Sequence, residues 1–318
     1  MKWEKLGQIF EFESSPFQGR FTSHAQSPQA LVLDDRVRVY FSTRTSDAPG
    51  MFESHVQYVD YDHDFKRILG YSEHEVIPLG KLGCFDEHGI FPLSPTPVGD
   101  KIYAYTNGIS RRVSVAVETG VGFAVSTDGG KTYKKPGDGP ALSATAHEPF
   151  LVGDAFVRVF KGKFHMFYLF GKKWSQPSAE QPAERVYKIG HATSNNGIDW
   201  EKSGVSLIPD KIDENECQAL PTVIEIEGRY HMYFCYRPME NFRSGRGRGY
   251  RIGYAYTDDL NDWTRDDEKA GIELSEDGWD SEMMCYPNIF SCNNNVYLLY
   301  NGNSFGRDGF GIAKLISK

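Results

Sequence analysis

The stretch "GRYHMYFCYR" (residues 228–237) decides the fold, because its construction recurs four more times along the chain. It opens on a turn glycine, alternates polar and apolar side chains as a half-buried strand does, and is rich in aromatics. "DRVRVYFSTR", "DKIYAYTNG", "GKFHMFYLFG" and "NNVYLLYNG" follow the same pattern. Placing Val37, Ile102, Phe164, Tyr230 and Val296 in register gives steps of 65, 62, 66 and 66 residues. Nine residues before the register position stand Pro28, Pro221 and Pro287; Pro92 is displaced by one, and Ala155 takes the place in the third unit. Each unit is therefore expected to start with an inner strand, turn, and continue into the aromatic strand. A third segment follows in "VGFAVSTDGGKTY", "IGHATSNNGIDW" and "IGYAYTDDLNDW", where Asp-Gly or Asn-Gly supplies two of the hairpins with positive φ.

Four antiparallel strands per unit, five times over, predict an all-β five-bladed β-propeller occupying residues 1–318 as one domain. A pair of β-sandwiches or a β-helix would leave the five even steps unexplained. The last unit runs out of chain at "GFGIAKLISK", so the N-terminal segment from Trp3 to Phe12 is expected to close the ring as its missing outer strand.

Composition narrows the function classes. A net charge of −8 argues against a general nucleic-acid surface, which needs a basic face. Five cysteines without a CxxC pair, in a chain large enough to need no staple, point to reduced thiols. The start "MKWEKLGQIFEFESS" lacks the apolar core of a signal peptide, and no apolar run reaches membrane-spanning length. The expectation is a cytoplasmic protein without nucleic-acid or membrane partners.

In a propeller the segments before the inner strands gather at the mouth of a central channel. Glu87, Glu216 and Glu282 each precede an inner-strand proline by five residues, with Asp86, Glu148, Asp154 and Asp280 nearby. Such carboxylates are expected to converge on one funnel, where crowding raises some of their pKa values and fits them for acid/base work on a glycosidic bond. The alternative for any one of them is a strand cap or an ion pair. Three imidazoles, His24, His88 and His147, also fall at blade entries and could hold a zinc, manganese or iron ion with a glutamate, although no local motif such as HExxH supports this and no cofactor is firmly implied. His165 and His231 read as packing between blades, and Trp200 and Trp263 as blade packing.

Arg44 and Arg237 lie seven residues after the register position, and "NFRSGRGRGYR" (241–251) adds four arginines and three glycines. Guanidinium forks in an otherwise acidic protein fit an acidic sugar, a sugar phosphate or a nucleotide sugar. The alternative is a solvated hairpin. Trp174, in the loop "GKKWSQPSAEQPAERVYK", offers a face for a sugar ring, and Asn301 and Asn303 could read hydroxyls.

"GCFDEHGIFP", "YKIGHATSNNGIDW", "YRIGYAYTDDLNDW" and "GWDSEMMCYPNIF" followed by "YLLYNGNSFGRDGFGIA" resemble the five-bladed glycosyl hydrolase-like propellers of bacterial polysaccharide gene clusters, and more distantly glycoside hydrolase families 32, 43 and 130. The resemblance implies a glycosidase-like hydrolase or a glycosyl-transferring relative. It also implies, for family 43, an Asp in each of the first two inner strands and a Glu in the third. This chain departs from that plan: Ser27-Pro28 and "FPLSP" fill the first two places, and only Asp154 occupies the third. If there is chemistry, the expected acids are Asp86, Glu87, Glu216, Glu282 and Asp154. A metal-dependent enzyme on a sugar derivative and a non-catalytic glycan-binding propeller are the alternatives.

Overall fold

The computed structural model describes residues 1–48, 51–176, 178, 182–243 and 247–317. Five antiparallel sheets follow one another along the chain, each a blade. The first runs β2 (Ser23–Val32), β3 (Val37–Ala48), β4 (Met51–Tyr61), β5 (Ile68–Tyr71). The second is β6 (Ile90–Val98), β7 (Lys101–Arg111), β8 (Val117–Ser126), its outer edge extended by isolated bridges from Lys134 to Val125 and Leu142 to Val121. The third is β9 (Phe150–Phe160), β10 (Lys163–Ser175), β11 (Glu184–Ser194), β12 (Glu201–Lys202), and the fourth β13 (Cys217–Ile226), β14 (Arg229–Arg237), β15 (Arg251–Thr257), β16 (Thr264–Arg265). The fifth is β17 (Cys285–Cys292), β18 (Asn295–Asn301), β19 (Gly309–Ser317), closed by β1 (Lys2–Glu11) pairing antiparallel with β19. The expected closure by the N-terminal strand is thus present, and it leaves β19 with no open edge. Among the described residues no helix is long and apolar enough to cross a membrane.

Turn chemistry and blade contacts come from the same repeated hairpin. Asp128, Asn196 and Asp259 accept hydrogen bonds from backbone amides two to four residues on, which holds the turn. Gly130 (φ 78°), Gly197 (φ 75°) and, in the blade without a turn glycine, Leu260 (φ 72°) take the left-handed conformation. The aromatic that ends each hairpin then reaches into the preceding blade: Tyr133 meets Tyr40, Trp200 meets Tyr105 and Trp263 meets Phe167, with ring centroids 5.6–5.8 Å apart. Trp200 and Trp263 pack between blades as expected. Within their own sheets, His165 stacks on His191 and His231 bonds Tyr254, each on the neighbouring strand.

Every inner strand breaks register with its neighbour at the proline position. In four blades the residue before it has positive φ: Ser27 (53°), Asp154 (51°), Leu220 (47°) and Tyr286 (56°). In the second, that place is Phe91, followed by a cis bond to Pro92. A bulge re-aims one side chain and bends the strand. Five bulges at one height therefore mark where the blades can present side chains toward the axis.

Candidate functional site: an arginine-lined cavity on the propeller axis

The carboxylates before the inner strands occupy a repeated place, but not the channel. Asp86 pairs with Lys135 (2.7 Å), Glu148 with Lys202 (2.5 Å), Glu216 with Arg265 (2.5 Å) and Asp280 with Lys5 (2.7 Å), and each acid's side chain is at most 2% exposed. Each cation lies on the outermost edge of the same blade: beside the bridge at Lys134, on β12, on β16 and on β1. The buried pair thus ties a blade's entry loop to its own outer strand. Tyr168 and Tyr300, both on middle strands, donate to Glu148 (2.8 Å) and Asp280 (3.1 Å). In the first blade Phe17 and Tyr71 make the corresponding contact edge to face at 5.7 Å.

The equal spacing of Glu216 and Glu282 therefore does not mean equal position. Glu216 is wholly buried, with Oε1 accepting from Arg265 and Gln218 and Oε2 from the Lys211 and Ile212 amides. In the fifth blade that place belongs to Asp280, and Glu282 is exposed. Glu87 accepts from the Gly83 amide at 2.7 Å and lies 3.4 Å from His88. Convergence of the carboxylates on a funnel is the expectation that the geometry overturns. Ion pairing at the blade edge is the physical reason they repeat.

A cavity of about 600 Å3 opens where the inner strands enter, and all five blades line it. Asp154 is the only carboxylate among the described residues that lines it, against five arginines: Arg44, Arg111, Arg185, Arg237 and Arg243. Asp154 is 5% exposed; Asn107 Nδ2 donates to it at 3.1 Å. Burial pushes its carboxyl up to about 7, against the opposing pull of Arg185, Asn107 and the Leu220 amide. Gly153 keeps Asn107 in place, since a Cβ there would collide with the Asn107 amide.

Arg237 is 2% exposed and donates to Tyr187 Oη (2.8 Å) and to the Pro238 (2.9 Å) and Met239 (3.2 Å) carbonyls, while its plane covers the Phe242 ring at 3.4 Å. Arg44 covers Phe52 at 3.8 Å, and burial followed by the Arg243 charge lowers its pKa to about 10 despite Tyr286. The Nε atoms of both Arg44 and Arg237 are buried without an acceptor. Two of the arginines named from sequence thus line one cavity. Arg243 lines it too and pairs with Glu184, whereas Arg246 lies outside the described residues.

The remaining sequence candidates separate. His88 lines the cavity; its Nδ1 lies 3.3 Å from the Arg111 amide, which donates to it. His24 does not, and burial together with Arg44 and Arg307 lowers its pKa to about 3; His147 is exposed. No group of three or more His, Cys, Asp or Glu residues that could hold a metal occurs among the described residues. Trp174 packs beside Arg185, outside the cavity lining, and Pro177, Ala179, Glu180 and Gln181 of its loop lie outside the described residues. Asn301 holds the Ser27 amide and the Ala25 and Gly309 carbonyls, and Asn303 the Glu282 and Met283 amides, so both serve the backbone.

Sequence reasoning missed the aromatic wall of Phe91, Tyr286, Tyr250, Phe305 and Phe242, whose rings meet in succession at 5.3–6.2 Å. It also missed Asn107, Arg185 and Tyr187. A signal for two of these was present: "YKIG" and "YRIG" put Tyr187 and Tyr250 at one place in adjacent blades, and in the fold their hydroxyls form a short hydrogen bond.

No family model matches the chain. Several solved structures share its architecture. A BT0996 complex with RGII superposes with a TM-score of 0.75 at 17% identity over 98% of this chain and 91% of that one. A "Glycoside hydrolase" reaches 0.73 at 15% over 99% and 93%, and a thermostable family-43 glycoside hydrolase 0.65 at 13% over 93% and 91%. At such identities the likeness establishes the fold alone, a five-bladed propeller. Two proteins of Mycobacterium tuberculosis are nearer in sequence. "Uncharacterized protein MT1551" (strain CDC 1551 / Oshkosh) and "Uncharacterized protein Rv1502" (strain ATCC 25618 / H37Rv) are each 30% identical over 316 residues, 99% of this chain and 99% of theirs. With that identity over the full length of both, the chain belongs to the same family of five-bladed propellers as MT1551 and Rv1502.

Proposed function

We propose that the protein is a carbohydrate-active enzyme whose substrate is an anionic sugar, held in the axial cavity with Asp154 as its acid/base group. The observation that carries this reading is the cavity's make-up: among the described residues, five arginines against one carboxylate, around about 600 Å3. That volume lies within the roughly 300–1,000 Å3 of small-ligand sites and has room for one or two sugar rings. The aromatic wall offers apolar faces for such rings, and the guanidinium charges around the cavity favour a carboxylate, sulfate or phosphate on the ligand over a neutral sugar. The fold, common among glycoside hydrolases, is consistent with this reading without proving it.

Calorimetric titration with hexuronates, hexose phosphates, nucleotide sugars and the matching neutral hexoses tests the proposal. Anionic sugars are expected to bind at least about tenfold more tightly than neutral ones, with the preference shrinking as salt rises. Equal affinity for neutral and anionic sugars sinks it. The lone carboxylate favours a second reading, a glycan-binding propeller, which predicts the same binding with no turnover and no effect of Asp154→Asn on any product.

A further inference from the structure

Resting on the anionic-sugar reading, we propose that the cavity performs β-elimination on a hexuronate: Asp154 removes the proton at C5, the Tyr187–Tyr250 pair gives a proton to the departing O4, and the arginines pair with the sugar's carboxylate. In this step the C5–H bond breaks, its electron pair becomes the C4–C5 double bond, and the C4–O4 bond breaks with its electrons leaving on O4. One proton goes to Asp154 and one comes from the phenols, so exchange with water restores both groups and no co-reactant is consumed.

Three features favour this over hydrolysis. Glycoside hydrolysis ordinarily takes two carboxylates flanking the bond, and among the described residues only Asp154 lines the cavity. Elimination takes one base, one proton donor and a cation that neutralises the uronate, because C5–H becomes acidic only when the adjacent carboxylate charge is offset. Arginine forks suit that last task.

The donor is the tyrosine pair. Both hydroxyls belong to cavity-lining residues, and Arg237 donates to Tyr187. Two phenolic protons are present; one closes the bond between the rings, and the other has no protein acceptor recorded among the described residues. That second proton is available to a ligand oxygen, and Arg237 stands ready to stabilise the phenolate left behind. Burial pushes both phenols upward, so they remain protonated until an acceptor arrives. Asp154, Arg185, Tyr187 and Tyr250 all line the same cavity, so base, donor and cation face one ligand.

The test incubates the full chain with oligogalacturonate, oligoglucuronate and oligomannuronate, following the ultraviolet absorbance of the unsaturated uronate, new reducing ends, and heat of binding. The expected result is a rise in absorbance with one of the three. Its kcat should fall about 10²–10⁴-fold in Asp154→Asn and in Tyr250→Phe with KM little changed. In heavy water, Tyr250→Phe should still exchange the C5 proton, whereas Asp154→Asn should not. Reducing ends without the absorbance, or binding without either product, overturns the elimination and leaves the anionic-sugar reading standing. Failure of all three to bind, with hexose phosphates and nucleotide sugars bound, also overturns the elimination; failure of every anionic sugar overturns both.

Discussion

Replacing Asp154 by asparagine removes the one carboxylate that lines the cavity among the described residues, with almost no change in shape, and the structure fixes what this does to stability. The Asp154 carboxyl is 5% exposed and titrates at about 7, against an ordinary 3.8. About three units at roughly 1.4 kcal/mol each make a difference of about 4 kcal/mol. Below about pH 4 both folded and unfolded chains hold the proton, and the residue adds no penalty. Between about pH 4 and 7 the unfolded chain releases it while the folded chain keeps it, so stability falls as pH rises; above about 7 the loss is complete and constant. Asparagine lacks this dependence. With about 2.1 cal/mol/K of unfolding entropy per residue, the Tm of the wild type relative to Asp154→Asn should drop by about 6 °C from the acid to the neutral limb. Thermal melts of both proteins at matched pH values read the difference directly, and the other carboxylates cancel. A difference that stays constant with pH refutes the claim that burial outweighs the compensating groups and raises this carboxyl. If Asp154 is the base, kcat/KM should rise with pH through about 7, over the range where the stability loss levels off.

Glu216→Gln removes one of the two carboxylates paired with the buried Arg265, leaving Asp267 as its partner, and should cost about 1–3 kcal/mol in denaturant melts while leaving sugar affinity within about twofold. Loss of binding in a folded variant would return Glu216 to the site. Arg237→Lys keeps the charge but loses the fork that spans Tyr187, Pro238 and Met239, so affinity for an anionic sugar should fall about ten- to a hundredfold by calorimetry. Unchanged affinity would mean the anion binds elsewhere. Trp3→Ala deletes the edge-to-face contact with Tyr233 at 5.5 Å and the indole hydrogen bonds to Tyr233 and Ala270, weakening closure of the ring by about 3–5 kcal/mol; an unchanged Tm would contradict it.

The fold was legible because a propeller repeats its physics. Register positions, inner-strand prolines, turn residues and hairpin-ending aromatics recur at a spacing that one architecture explains, and even the closing strand could be inferred from a last unit that was too short. The site was less legible for the same reason. A carboxylate that recurs once per blade is what a repeated structural contact looks like, and Asp86, Glu148, Glu216 and Asp280 each serve their own blade. Spacing from a proline could not separate Glu216 from Glu282, because entry loops of unequal length bring Asp280, not Glu282, to the matching place. Arg44 and Arg237 were recognisable from their shared offset, and the structure puts both in the cavity lining. Only the assembled ring brings Arg185 and Asn107 into one cavity with Asp154.

Chemistry on the axis must come from where the blades differ. The five bulges present Ser27, Phe91, Asp154, Leu220 and Tyr286, and the cavity is lined by three of them: one acid and two aromatics. Were all five acidic, mutual repulsion in a buried ring would raise their pKa values and destabilise the closed propeller. With one, the burial cost falls on a single group, and the surrounding guanidinium charge both limits that cost and draws an anion to it. The same arrangement keeps the carboxyl near half-ionised at neutral pH, where it can accept or give a proton with a small bias either way. Adding a second acid at the first bulge, Ser27→Asp, tests this reasoning: the buried pair should raise the apparent pKa of the activity profile or unfold the protein. A variant of unchanged stability and pH profile would show that the bulges do not share one electrostatic environment.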